Sequence, residues 1–98
     1  MPSEKNNPVE PAIFVAQDVF ASNNQAIIMG ILKKGTLEPE TKTIINGKSY
    51  TLVDIQAFNR HLKSVKSEDK EASGLGIVLA SLSTQEAQMV LGQELRFM

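Results

Sequence analysis

The chain has 98 residues, a formal net charge of −1 and no cysteine. This length corresponds to a single domain with a thin core, burying about 60–70% of the surface that its unfolded chain exposes. Ten Lys and Arg against eleven Asp and Glu leave no overall field for nucleic acid, and the lack of cysteine excludes disulfides, thiolate catalysis and cysteine-based metal sites.

Residues 1–11 are polar, contain three prolines and lack the apolar core of a signal peptide. A flexible tail is expected there, followed by one folded domain over residues 12–98. The longest apolar run, Ala26 to Leu32, is far short of the about 20 residues that a bilayer span needs. No membrane association and a cytoplasmic location are therefore expected.

Ile13 to Phe20 is rich in β-branched and aromatic residues, which predicts a strand, and residues 22–24 supply a turn. Gln25 to Leu32 is apolar on both alternate sets, the pattern of a central strand covered on both faces. Gly30 marks a bulge or a close backbone approach within it. Lys33 and Lys34 end this strand at Gly35, which is expected to take a positive φ. Thr36 to Glu40 reads as a connection anchored by Leu37, with Pro39 excluding a ladder donor.

Thr43-Ile44-Ile45, then Asn46-Gly47, then Lys48 to Val53 predicts a β-hairpin. Asn-Gly suits both positive-φ positions of a type I′ turn, whose twist matches the flanking strands. Val53, Ile55 and Ala57 alternate with Asp54 and Gln56, carrying the strand to about Phe58. A helix over Leu52 to Leu62 is the alternative, because Val53, Ala57, Phe58 and Leu62 fall near one helical face. Val65 to Ser73 is a charged excursion, and Leu75 to Ala80 a buried strand entered through Gly74 and Gly76. Ser83 and Glu86 have capping-box spacing. A helical turn is expected from there to Leu91, with Gly92 as its stop and residues 93–97 as a closing strand. About six short strands and one helical turn predict an all-β fold, a small closed antiparallel, Greek-key-like barrel.

Catalytic constellations are not evident. His61 is the only histidine, and general-base or zinc chemistry needs partners it lacks in the sequence. Gly30 and Gly35 have the glycine spacing of a phosphate loop, but Thr36 stands where the lysine belongs. In the run Gly74-Leu75-Gly76, Leu79 replaces the third glycine of a dinucleotide fingerprint. Glu38, Glu40, Glu68, Asp69 and Glu71 lie beside lysines and read as solvated loop charge. One cluster combines cations with rings: Arg60, Lys63 and Lys66 with Phe58 and His61, the ingredients of phosphate contact plus base stacking. A continuing strand would split it, with Arg60, Leu62 and Ser64 on one face and His61, Lys63 and Val65 on the other. Lys33 and Lys34 are candidates to join the cluster in space.

Taken in order, these segments resemble the second, β-barrel domain of elongation factor Tu and related translation GTPases. The resemblance covers residues 13–97. It rests on Val15 to Phe20, on Ile27 to Leu37 with its two glycines, on Val53-Asp54-Ile55-Gln56-Ala57-Phe58, on Gly76 to Leu82, and on Glu86 to Leu95. It implies a translation-protein barrel without the GTPase domain. In that family the apolar–acidic–apolar–Phe strand carries a glutamate that helps to hold the aminoacyl end of tRNA. Gln56 occupies this position here, and Asn59 stands where a basic residue is usual. The family's asparagine before the glycine strand falls at Gly74 or Leu75, its arginine before the closing glycine is Leu91, and its Gly-Asp turn is Pro39-Glu40. The contacts to the acceptor end are mostly missing. The resulting expectation is a non-enzymatic binding module without cofactor or metal, contacting RNA, the ribosome or a translation-related protein. Its candidate contact residues are Gln56, Phe58, Arg60, Lys63, Lys33 and Lys34. The alternative is a protein-interaction or self-associating barrel with no nucleic-acid role.

Overall fold

Each strand segment buries one alternate set of side chains, and the segments join into a single curved sheet. The computed structural model describes residues 11–22 and 24–98. The expected tail over residues 1–11, apart from Pro11, and Asn23 of the first turn lie outside the described residues. In chain order the strands are β1 (Ala12–Ser22), β2 (Gln25–Lys34), β3 (Thr36–Leu37), β4 (Lys42–Ile45) and β5 (Lys48–Ala57). They continue with β6 (Arg60–His61), β7 (Val65–Lys66), β8 (Leu75–Leu79) and β9 (Glu94–Phe97). A 3-10 turn spans Lys70–Ser73, and the short helix α1 spans Thr84–Gln88.

Six strands run in the order β4-β5-β8-β2-β1-β9, all antiparallel, with β6 appended to β5 and β3 pairing separately with β7. The two ends of this order meet. Lys42 N–H donates to the Met98 carbonyl at 3.0 Å, and Met98 N–H donates to the Lys42 carbonyl at 3.0 Å. These two bonds bring the sheet to a nearly closed barrel, as the sequence pattern predicts. Bulges at Gln17, Lys33 and Val53, each an unpaired residue where the register shifts, supply the local bending that closure requires.

Phe14, Ile28, Leu52, Ile55, Leu75 and Ile77 point inward and are fully buried. Burying one such side chain contributes about 1.5–3 kcal/mol. Gly30 sits opposite Ala16, and any Cβ there would collide with the Val15 carbonyl oxygen and approach the Phe14 ring within 2.8 Å. Its role is a close approach, with the bulge displaced to neighbouring Gln17.

The Asn46-Gly47 hairpin forms as expected: Ile45 pairs with Lys48, and the turn residues have φ of 52° and 81°. The capping box at α1 is also present. Glu86 N–H donates to Ser83 Oγ at 3.0 Å, and Ser83 N–H donates to Glu86 Oε1 at 3.0 Å. Glu86 Oε2 accepts from the Tyr50 hydroxyl at 3.0 Å, which ties α1 to the β4–β5 hairpin. The Ser83 backbone N–H, then the Tyr50 hydroxyl, hold the Glu86 carboxyl below its ordinary range. Burial, followed by the bond to Glu86, pushes the Tyr50 phenol up. After α1 the chain turns at Gly92, whose N–H donates to the Ala16 carbonyl at 2.8 Å.

β5 ends at Ala57, close to the expected end at about Phe58, and Phe58 and Asn59 take left-handed φ values of 53° and 62° that reverse the chain into β6. That reversal also removes the helical alternative over Leu52 to Leu62. One local expectation is corrected: β2 is not covered on both faces, and its outward residues Ile27, Met29 and Ile31 are only half-buried. The strand that is buried throughout is β8.

Gly30→Ala is expected to destabilise the fold by about 1–3 kcal/mol, as overpacking does in a dense core. Ser83→Ala should cost about 1 kcal/mol through loss of the cap. Urea unfolding midpoints measure both.

Candidate functional site

The reversal at Phe58 creates the most exposed aromatic surface on the barrel's outer face. Cross-strand pairing sets Gln56 opposite His61 on one side and opposite Gly76 on the other, and Gly76 opposite Met29. A row His61–Gln56–Gly76–Met29 therefore crosses the outside of the sheet. The missing side chain of Gly76 leaves a shelf that Met29 overhangs, its Sδ lying 2.9 Å from where a Cβ would stand. Met29, Gln56, Ala57, Phe58, Asn59, Gly74 and Gly76 surround a shallow concavity of about 200 Å³. Phe58 stands at its edge, 66% exposed.

The conformation of Phe58 is costly. A bulky residue in the left-handed region is an outlier, and such a residue loses about 1–2 kcal/mol to the crowding of its Cβ. Most two-residue hairpin turns avoid this cost with Asn or Gly at the first position, as Asn46 does in the other hairpin. The ring gains little burial in return. Strain of this kind concentrates at contact sites, and here it holds an aromatic ring outward beside a polar rim.

The polar rim is pre-paired. His61 Nδ1 lies 2.8 Å from Asp54 Oδ2, and Gln56 Nε2 donates to the same oxygen at 2.8 Å. Burial pushes the Asp54 carboxyl up. The bonds from Gln56 and His61, the charge of His61 and the Ile55 N–H outweigh that effect and hold it below its ordinary range. Arg60 Nη2 reaches Glu71 Oε2 at 3.5 Å, an exposed pair worth at most about 1 kcal/mol. Leu62 N–H donates to the Ile55 carbonyl at 2.7 Å, anchoring the segment that presents the exposed Lys63.

Gln56, Phe58, Arg60 and Lys63 thus fall within one hairpin and its exit, and the supposed splitting of the cluster disappears because the strand does not continue. Lys33 and Lys34 separate from it. The bulge at Lys33 turns Lys34 outward opposite Ile13, and Lys34 lines a different concavity with Pro11, Ile13 and Arg96. The Asp54–His61 pair and the Met29–Gly76 shelf were not legible beforehand. Asn59, a residue tolerant of left-handed φ, was the one local hint of a turn.

Among the described residues, no three His, Asp or Glu side chains come together in an arrangement suited to a metal ion. No helix among them is long and apolar enough to cross a membrane. Comparison with protein-family models and with curated proteins finds no match to this chain.

Replacing Phe58 by Asn is expected to raise stability by about 1 kcal/mol, because it relieves the left-handed crowding at little cost in buried surface. Thermal unfolding measures this change. For Asp54 the folded pKa is lowered, so its contribution is complete above its ordinary value of 3.8 and is lost as pH falls through the depressed one. Unfolding midpoints of the wild type and Asp54→Asn should therefore differ at neutral pH and converge in acid below that range.

Proposed function

We propose that this chain is a non-enzymatic binding module, a barrel of the kind found as the second domain of translation GTPases, that contacts RNA or a ribonucleoprotein surface through the Phe58 turn. The observation that carries this reading is the strained, outward Phe58 ring beside a base-sized concavity, with Arg60 and Lys63 on the same hairpin. An exposed ring next to cations suits an unstacked base whose phosphate lies alongside. The order of the strand segments, and the position of Gln56 and Phe58 within them, support the family likeness. The same proposal includes a cytoplasmic setting and no chemistry catalysed.

A second reading has a specific observation in its favour. Arg60 and His61 are each engaged by a carboxylate, Glu71 and Asp54 respectively, which reduces the free positive charge that the turn offers to phosphate. A protein partner that covers Phe58 and Met29 fits that partly neutralised rim.

Anisotropy titrations of a mixed-sequence single-stranded RNA, and pelleting with purified ribosomes, test the first reading at about 50 mM and 200 mM salt. The expected result is binding that weakens with salt. Phe58→Ala should cost about 1–3 kcal/mol, the worth of one stacked base, and Lys63→Ala should lower the salt slope by about 1. No binding at the lower salt, or binding indifferent to salt, removes RNA as the ligand.

A further inference from the structure

We infer that Lys33, Lys34 and Arg96 form a phosphate-binding site around Ile13, which takes the backbone of a single-stranded RNA beyond the nucleotide held at Phe58. The site stands on its own geometry, and only the naming of RNA as its ligand rests on the Phe58 reading.

The bulge in β2 is what brings Lys34 to this site. Ile31 faces out and Leu32 is buried, so an unbroken strand would turn Lys33 out and Lys34 in. The register instead shifts, with Leu32 opposite Phe14 and Lys34 opposite Ile13. The extra residue sets both Lys33 and Lys34 against Ile13, and bulges re-aim side chains in this way beside functional sites. On the other side of β1, Ile13 pairs with Arg96. Lys34, Ile13 and Arg96 thus form one cross-strand row on the outer surface. Its two cations stand about 10 Å apart at the usual strand spacing.

Pro11, Ile13, Lys34 and Arg96 line a concavity of about 270 Å³, with no carboxylate among them. Lys33, Lys34 and Arg96 are exposed, and none forms an ion pair with a described residue. Glu94 lies two residues along β9 in the same outward set, yet it makes no ion pair with Arg96. The chain as a whole carries a charge of −1, so its attraction for phosphate is confined to such a local excess. Three like charges around an apolar floor repel one another, and an anion between them relieves that repulsion. The Arg96 fork suits two phosphate oxygens, and the lysines add point charges. β2 links this site to the shelf beside Phe58. Met29 overhangs the shelf, and Lys34 is five residues further along the strand, about 16 Å away at the usual rise. The outward residue between them, Ile31, is apolar and half-buried. An RNA strand with one base on Phe58 reaches the three cations across it within a few nucleotides, inside the span of about 4–16 that small barrels engage.

Two probes test the site on the full chain. Pyrophosphate, which offers phosphate without a base, should shift the amide resonances of residues 12–14, 33–35 and 95–97. Those shifts should vanish in a variant carrying both Lys34→Gln and Arg96→Gln. Anisotropy titrations with oligouridylates of about 4 and about 12 nucleotides read the RNA contact. The wild type should bind the longer one at least about tenfold more tightly. The double variant should lose that advantage, and its salt slope for the longer RNA should fall by about 1.4, the share of two phosphates on a single strand. Both side chains are exposed, and an unchanged urea midpoint verifies that the variant is folded. The inference is overturned if pyrophosphate shifts none of these amides, or if the double variant keeps the wild-type length advantage and salt slope. Phe58→Ala separates the two readings. If it binds both RNAs like the wild type while the double variant loses the length advantage, the Phe58 reading fails and the phosphate site stands. If pyrophosphate binds but neither RNA does, RNA is overturned as the ligand of both sites.

Discussion

The structure depends on β8. Leu75–Leu79 is the one strand buried at every position, and it is hydrogen-bonded on one side to β5 and on the other to β2. Without it, the β1–β2 and β4–β5 hairpins are separate two-stranded ribbons, and an isolated hairpin is marginal in water. Leu75, Ile77 and Leu79 supply the interior, whereas Gly76 and Val78 face out. The inward set joins the two hairpins into one core. The outward set shapes the surface, because the bare Gly76 creates the shelf between Gln56 and Met29 while Val78 is flanked by Ile27 and Asp54. The same short segment thus fixes both the barrel and the geometry of its candidate contact face.

Closure of the barrel is uneven for a related reason. The four neighbour pairs from β5 to β9 share ladders of four or more residues, whereas β4 and β9 lie side by side with the Lys42–Met98 pair as the backbone hydrogen bonds between them among the described residues. α1 fills the adjacent end, with Ala87 and Val90 buried and Glu86 bonded to Tyr50. The helix therefore holds the β4–β5 hairpin in position where backbone pairing between the first and last strands does not. Left-handed strain follows the same logic of placement. Asn24, Asn46 and Asn59 take positive φ at small cost, whereas Glu40, Phe58 and Ser81 take it without a side chain suited to it. Of the latter three, only Phe58 presents a large apolar surface to solvent.

Much of the fold was legible in local chemistry. Asn46-Gly47 has one common solution, Ser83 and Glu86 satisfy each other's backbone at fixed spacing, and the alternation in β5 places Ile55 and Ala57 inside, although the bulge turns Val53, read as part of that set, out to solvent. The failures share a physical cause, which is that they depend on non-local pairing. Ile27, Met29 and Ile31 read as buried because sequence shows hydrophobicity but not whether another layer covers it. The Phe58 turn was missed because Phe is a poor residue for left-handed φ, and the pairing of Ala57 with Arg60 overrides that local preference. Lys33 and Lys34 were grouped with the Phe58 cluster by charge alone, yet a bulge directs Lys34 toward Arg96 on another face. The closure of β4 against β9 has no local signature at all, since it joins two strands about fifty residues apart.

Amide hydrogen exchange resolved to single residues tests the account most directly. If β8 is the element that unites the two hairpins, the amides of Gly76, Ile77 and Val78 should exchange only through global unfolding, with the free energy measured by urea. Exchange of these three amides by local opening, at rates like those of the β6 or β3 amides, would contradict it.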